Sequence, residues 1–159
     1  GAFIGCVDLK SIMIPENVYQ IDHYAFQGCT SLETVLIKGQ LTSLGGMIFY
    51  DCTSLKIVEF AEGITRLPSR MFGNCVSLET ITLPASIKRI EAQIFEGCTN
   101  LKTVYVKATT PPKMSYWVFA DNEHNNLNCK IYVPDESVEE YKKASNWSTY
   151  KDQIEGYNF

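Results

Sequence analysis

The chain has 159 residues, 45% of them hydrophobic, with a net charge of −4 and a pI near 5.2. That length suits a single domain, and the acidic balance argues against nucleic acid or an anionic membrane as the main partner, since both call for basic surface. No apolar run approaches the ~18 residues that a membrane span requires.

The first stretch, Phe3 to Ile14, already holds the unit from which the rest is built. Its frame, F-x-x-C-x-x-L-x-x-[IV]-x-[ILVF], opens again at Phe26, Phe49, Phe72 and Phe95, each 23 residues after the last. Read alone, Phe3-Ile-Gly-Cys6 looks like a lipidation box. The flanks of such a signal are missing, and Phe3 and Cys6 both fall on the repeat register, so the repeat reading is preferred. A period this regular predicts a solenoid, in which each coil buries its apolar face only against its neighbours.

Within each unit a short strand comes first, as in Leu78-x-x-Ile81-x-Leu83, with apolar positions inward and alternate positions outward. Proline closes it at Pro15, Pro84 and Pro134. A second inward pair follows: Val18 and Ile21, Leu41 and Leu44, Ile64 and Leu67, Ile87 and Ile90. A polar turn then leads to the next Phe and Cys, predicted as a single turn of 3₁₀ or α-helix. Stacked coils align the strands into one parallel sheet of about six strands.

Five of the six cysteines (Cys6, Cys29, Cys52, Cys75, Cys98) share one column of the repeat. They are expected to stack inside the solenoid as free thiols, because in-register side chains point the same way and a disulfide needs particular Cβ directions. Cys129 lies off the column and is expected to be partly exposed. The second strand position reads Lys10, Glu33, Lys56, Glu79, Lys102, so each charge should sit between opposite ones, which disfavours slipped pairings.

After Val106 the pattern breaks at Thr109-Thr110-Pro111-Pro112, and Phe119 arrives one residue late. A polar loop, Asp121 to Asn128 with His124, precedes a last strand at Ile131-Tyr132-Val133-Pro134. Ser137-Val-Glu-Glu140 reads as a capping box. The helix it opens should run through Tyr141, Lys142 and Ala144, with Trp147, Tyr150 and Ile154 extending its apolar side. Residues 1–134 are therefore assigned to the solenoid and residues 135–159 to a C-terminal helical cap of the same domain, closing the open end of the stack.

Leu-x-x-Ile-x-Leu at this step is a leucine-rich repeat signature. With the proline after the strand, the F-x-x-C block before it, and the ending T-T-P-P then V-P-x-x-S-V-E-x-Y-K-x-A-x-x-W, the chain resembles the BspA-type (Treponema-type) leucine-rich repeats over essentially its whole length. The ladder position of ordinary leucine-rich repeats carries Asn17, Gln40, Gly63 and Ser86 here, so the buried column is cysteine instead. The resemblance implies a bacterial surface-exposed or secreted protein that adheres to other proteins or host cells. The chain starts in mid-repeat, so its signal or anchor is expected outside this segment.

Chemistry has little to stand on. His23 and His124 belong to opposite ends of the solenoid, no nucleotide, nucleophile-elbow or zincin motif appears, and no spacing suggests zinc, another metal or a cofactor. The expectation is a non-enzymatic module. What remains is the open face of the sheet, with outward columns Ser11, Thr34, Ile57, Thr80, Thr103, Lys130 and Met13, Leu36, Glu59, Thr82, Tyr105, Tyr132. Met13, Leu36, Ile57, Glu59, Thr82, Tyr105 and Tyr132 are the candidate protein-binding residues, since contiguous exposed apolar side chains and aromatic anchors mark interaction sites. A spacer with no ligand and a carbohydrate-binding protein are the alternatives. At the other end Phe3, Leu9, Ile12 and Ile14 form an uncapped coil whose bare edge is expected to pair with a second copy unless upstream residues cover it.

Overall fold

The computed structural model describes residues 1–119 and 129–159. The polar loop read at Asp121 to Asn128, His124 included, lies outside the described residues. The chain winds as a stack of short coils, and each of the first five coils contributes a strand to both of two parallel rows. The long row consists of β1 (Ser11–Ile14), β3 (Thr34–Ile37), β5 (Ile57–Phe60), β7 (Thr80–Leu83), β9 (Thr103–Val106) and β11 (Lys130–Pro134). Two-residue bridges make the second row: β2 (Gln20–Ile21), β4 (Ser43–Leu44), β6 (Arg66–Leu67), β8 (Arg89–Ile90) and β10 (Lys113–Met114). The register is the one the period demands, with Ser11 beside Thr34 beside Ile57 and Thr80 beside Thr103, and past the break in the pattern Lys130 takes the place beside Thr103.

Neither row is continuous, and a proline stands at each break. In the long row the amides of Lys38, Ala61 and Lys107 donate to Ile14, Ile37 and Leu83 of the coil before. The matching residue of the fourth coil is Pro84, which has no N–H to give, and no ladder joins β5 to β7. In the short row Gly45, Glu91 and Ser115 donate to Ile21, Leu67 and Ile90 in the same way. Pro68 occupies the equivalent place, and β4 is not joined to β6. There the Arg66 guanidinium takes over, its Nη1 donating to the Leu44 carbonyl at 3.1 Å.

The core is a set of superposed columns. Phe3, Phe26, Phe49, Phe72, Phe95 and Phe119 form one stack, with successive ring centroids 5.1, 5.4, 5.8, 6.0 and 5.7 Å apart and planes within 12° of parallel. Beside it run the thiols. Cys29, Cys52, Cys75 and Cys98 each donate to the carbonyl of the phenylalanine one coil back, at 3.0–3.3 Å. The column thus does more than fill space, because each Cys ties two coils together. All six cysteines are free. Cys129 corrects its expectation: although it lies off the column, it is buried.

Burial pushes the Cys52 and Cys98 thiols up from 9.0 to about 12, and the Cys75 thiol upward as well. A thiol pKa raised by folding gives a stabilisation that is complete below the ordinary thiol range and is lost as pH climbs towards 12. In native protein at neutral pH, only the half-exposed Cys6 should react quickly with a thiol reagent, and all six should react after denaturation. A kinetic count showing several fast thiols in the native state would contradict the buried column.

The turns before each cysteine are single loops of i→i−3 hydrogen bonds, such as Gln27 to Tyr24 and Cys29 to Phe26. None extends into a helix: four of them carry two left-handed residues each, Tyr24 with Gly28, Met47 with Asp51, Arg70 with Asn74 and Gln93 with Gly97. The first is not glycine: Tyr24, Met47, Arg70, Gln93 and Trp117 have φ of 54–61°. The second is Gly5, Gly28, Asp51, Asn74 or Gly97, at 57–70°. Left-handed backbone is unfavourable for a residue with a Cβ, and here the inter-coil bonds of each turn hold it in place.

The alternating charges pair off rather than forming a continuous ladder. Lys56 meets Glu33 at 3.0 Å and Lys102 meets Glu79 at 2.8 Å, all with exposed side chains. The two bridges therefore stay within the two blocks on either side of the β5–β7 break. At the far end the sequence reading is corrected twice. Ser137 is not a cap acceptor: its hydroxyl donates to the Thr109 carbonyl at 2.7 Å, and no side-chain cap bond forms at α1 (Val138–Lys143). A 3₁₀ turn, Asp135–Ser137, precedes α1 and draws the serine back towards the solenoid. Ile154 does not extend the apolar side of the helix but opens a further strand, β12 (Ile154–Tyr157), parallel to β11. No helix among the described residues is long and apolar enough to cross a membrane.

Candidate binding face

The open face of the long row is built by strict alternation. In β9, Val104 and Val106 are buried while Thr103 and Tyr105 face out, and in β11, Ile131 and Val133 are buried while Lys130 and Tyr132 face out. Parallel pairing sets Thr82, Tyr105 and Tyr132 side by side. The two tyrosine rings stack at 5.2 Å with 19° between planes.

Two aromatics that the sequence reading missed complete this patch. β12 pairs with β11 so that Glu155 adjoins Tyr132 and Tyr157 adjoins Pro134. Tyr157 then meets Tyr105 edge-on at 5.0 Å and Tyr132 at 5.8 Å, with Phe159 4.9 Å from Tyr157. Gly156 packs closely on Asp135, whose Cα would lie 3.3 Å from a Cβ added there. The signal for β12 was weak: I-E-G-Y is a short alternating segment with a glycine inside it, after a 3₁₀ turn at Trp147–Tyr150. Lys130 and Glu155 form an ion pair at the edge of the cluster. Tyr157 and Phe159 are 42% and 47% exposed, and Tyr105 and Tyr132 are half-buried.

The other candidates lie in the first block. Met13 and Leu36 are in register, Glu59 continues their column, and Ile57 lies diagonally across from Leu36. Met13 and Ile57 are exposed and Leu36 is half-buried. The face therefore holds two patches, one aliphatic and one aromatic, with the β5–β7 break between Glu59 and Thr82. His23 lies elsewhere, in an outward turn, where its Nδ1 accepts the Gly46 amide at 2.9 Å. Among the described residues, no group of three or more His, Cys, Asp or Glu side chains is arranged to hold a metal ion.

The BspA type leucine rich repeat region matches residues 1–127 of the chain in six copies. A leucine-rich repeat protein from Eubacterium ventriosum is 29% identical, with a TM-score of 0.68 over 80% of this chain and 34% of that one. A leucine rich cell surface protein from Faecalibacterium prausnitzii is 27% identical, with a TM-score of 0.58 over 69% of this chain and 32% of that one. The leucine rich repeat protein of T. pallidum, 23% identical with a TM-score of 0.69, is covered over 60% of its length and 82% of this chain, and shares the fold. The chain thus spans from about a third to three fifths of these neighbours. No curated protein matches.

Proposed function

The chain belongs to the BspA-type leucine-rich repeat family, and from that premise we propose that it is a non-enzymatic protein-binding module displayed at a bacterial surface. It docks a protein partner on the open face of its long row and adheres through it. The observation that carries this reading is the cluster of Tyr105, Tyr132, Tyr157 and Phe159, four aromatic rings in mutual contact on a solvent-facing sheet. Tyrosine presents large contact area at low entropic cost, and such residues dominate binding hot spots. The surface location is supported by the Faecalibacterium prausnitzii neighbour, itself described as a cell surface protein. The partner is expected among host or matrix proteins.

The test uses the two most exposed members. Tyr157→Ala with Phe159→Ala should weaken capture on a panel of immobilised extracellular-matrix proteins at least tenfold, by loss of hot-spot contacts. The melting temperature should stay close to the parent's, because these rings lie at the chain end and are only partly buried. Undiminished capture by the double variant would remove the proposal and leave the spacer reading.

A further inference from the structure

A second surface carries charge that the fold does not use. The short row places Arg66, Arg89 and Lys113 directly beside one another in register, one coil or ~4.8 Å apart. Like charges opposite one another are unfavourable in a sheet, and the long row avoids them by alternating Lys with Glu. Arg66 is engaged, its Nε bonded to Glu91 at 2.7 Å and its Nη1 to the Leu44 carbonyl. Glu91 is engaged too, since its other oxygen accepts from the Ser69 amide and hydroxyl. That leaves Arg89 with its Nε 3.9 Å from Glu91 and its side chain 59% exposed. Lys88 and Lys113 are exposed, and neither forms an ion pair among the described residues. The other nearby carboxylate, Glu62, is held by the amides of Ala85 and Ser86.

Lys88 and Lys113 line one groove of about 440 Å³, whose apolar lining includes the exposed Ala85 and half-buried Pro111 over the buried Ala108, and whose hydroxyls are those of Thr109, Thr110 and Ser86, the last already bonded to Gly63 and Ile64. One wall of this groove is fixed from behind by the cap. The carbonyls of Ala108, Thr109 and Pro112 accept from Tyr141 at 2.6 Å, Ser137 at 2.7 Å and Trp147 at 2.8 Å. A backbone wall held in this way is already in place when a ligand arrives, which favours affinity.

We propose that this groove, with Arg89 beside it, binds a linear anionic polysaccharide. One sugar ring lies along the alanine and proline lining with its hydroxyls near Thr109 and Thr110. Its sulfate or carboxylate sits between Lys88 and Lys113, and the next anionic group reaches Arg89. An acidic peptide suits the site less well. Its same-face side chains repeat every ~6.8 Å when extended, against ~4.8 Å between coils. Single-stranded nucleic acid would call for exposed aromatic rings to stack its bases, and none lines this groove.

The experiment titrates the whole chain with heparin at low salt and repeats the titration as salt is raised. Binding should appear at low salt, weaken steadily with salt, and fall at least tenfold in Lys88→Ser with Lys113→Ser. Arg89→Gln should weaken it by a smaller factor. The Tyr157→Ala, Phe159→Ala variant should bind heparin like the parent, which separates this site from the aromatic face. Absence of heparin binding at low salt, or equal binding by the double lysine variant, would overturn the proposal. Poly-glutamate of matched charge binding as tightly as heparin would also overturn it, in favour of an acidic peptide.

Discussion

Phe72→Ala should lower the unfolding free energy by about 3–5 kcal/mol, the range for emptying a fully buried phenylalanine site. Phe72 is completely buried, stacked on Phe49 at 5.8 Å and on Phe95 at 6.0 Å, with Phe60 edge-on at 6.2 Å. Each coil holds only to its neighbours, so a cavity in the middle of the stack weakens two interfaces at once. Phe3 belongs to the same column but touches one neighbour in it and is 45% exposed. Phe3→Ala should therefore cost far less, about 1 kcal/mol, in proportion to the smaller apolar area it removes. Urea unfolding of the two variants measures the difference. Equal losses would mean that the rings do not share one continuous core.

Trp147→Ala should cost as much again, about 3–5 kcal/mol for the lost volume. A further ~1 kcal/mol or more follows from leaving the Pro112 carbonyl without its donor. The indole is fully buried, its Nε1 donates to Pro112 at 2.8 Å, and its ring packs edge-on to Tyr141 at 4.9 Å. Trp147→Phe should recover most of the packing and none of the hydrogen bond. Thermal unfolding that left Trp147→Ala within 1 °C of the parent would show that the cap is not what closes the stack.

Much of this architecture could be read from spacing alone. A period of 23 residues places Ser11, Thr34 and Ile57 in one register, and the structure pairs them so. The same arithmetic superposes the phenylalanines and cysteines, because identical side chains one coil apart occupy the same position in successive layers. What spacing does not convey is the direction of a particular hydrogen bond. Ser137 fits a capping box by pattern, yet its hydroxyl reaches Thr109 instead. Pro84 looks like an ordinary strand-ending proline and Pro68 like part of a turn, and only the register reveals that each stands where the equivalent residue of other coils donates an amide to the coil before. Tyr105 and Tyr132 could be found as outward residues of regular strands. Tyr157 and Phe159 could not, because one ends and the other follows a segment whose strand character comes from pairing with β11 more than from its own residues.

The two proline breaks fall at different levels. The long row parts between its third and fourth strands, the short row between its second and third. The third coil is thus bonded downward through β3–β5 and upward through β6–β8, as a brick in running bond straddles the joint beneath it. No single cleavage plane crosses both seams, so a tensile load along the axis always meets intact hydrogen bonds in one row.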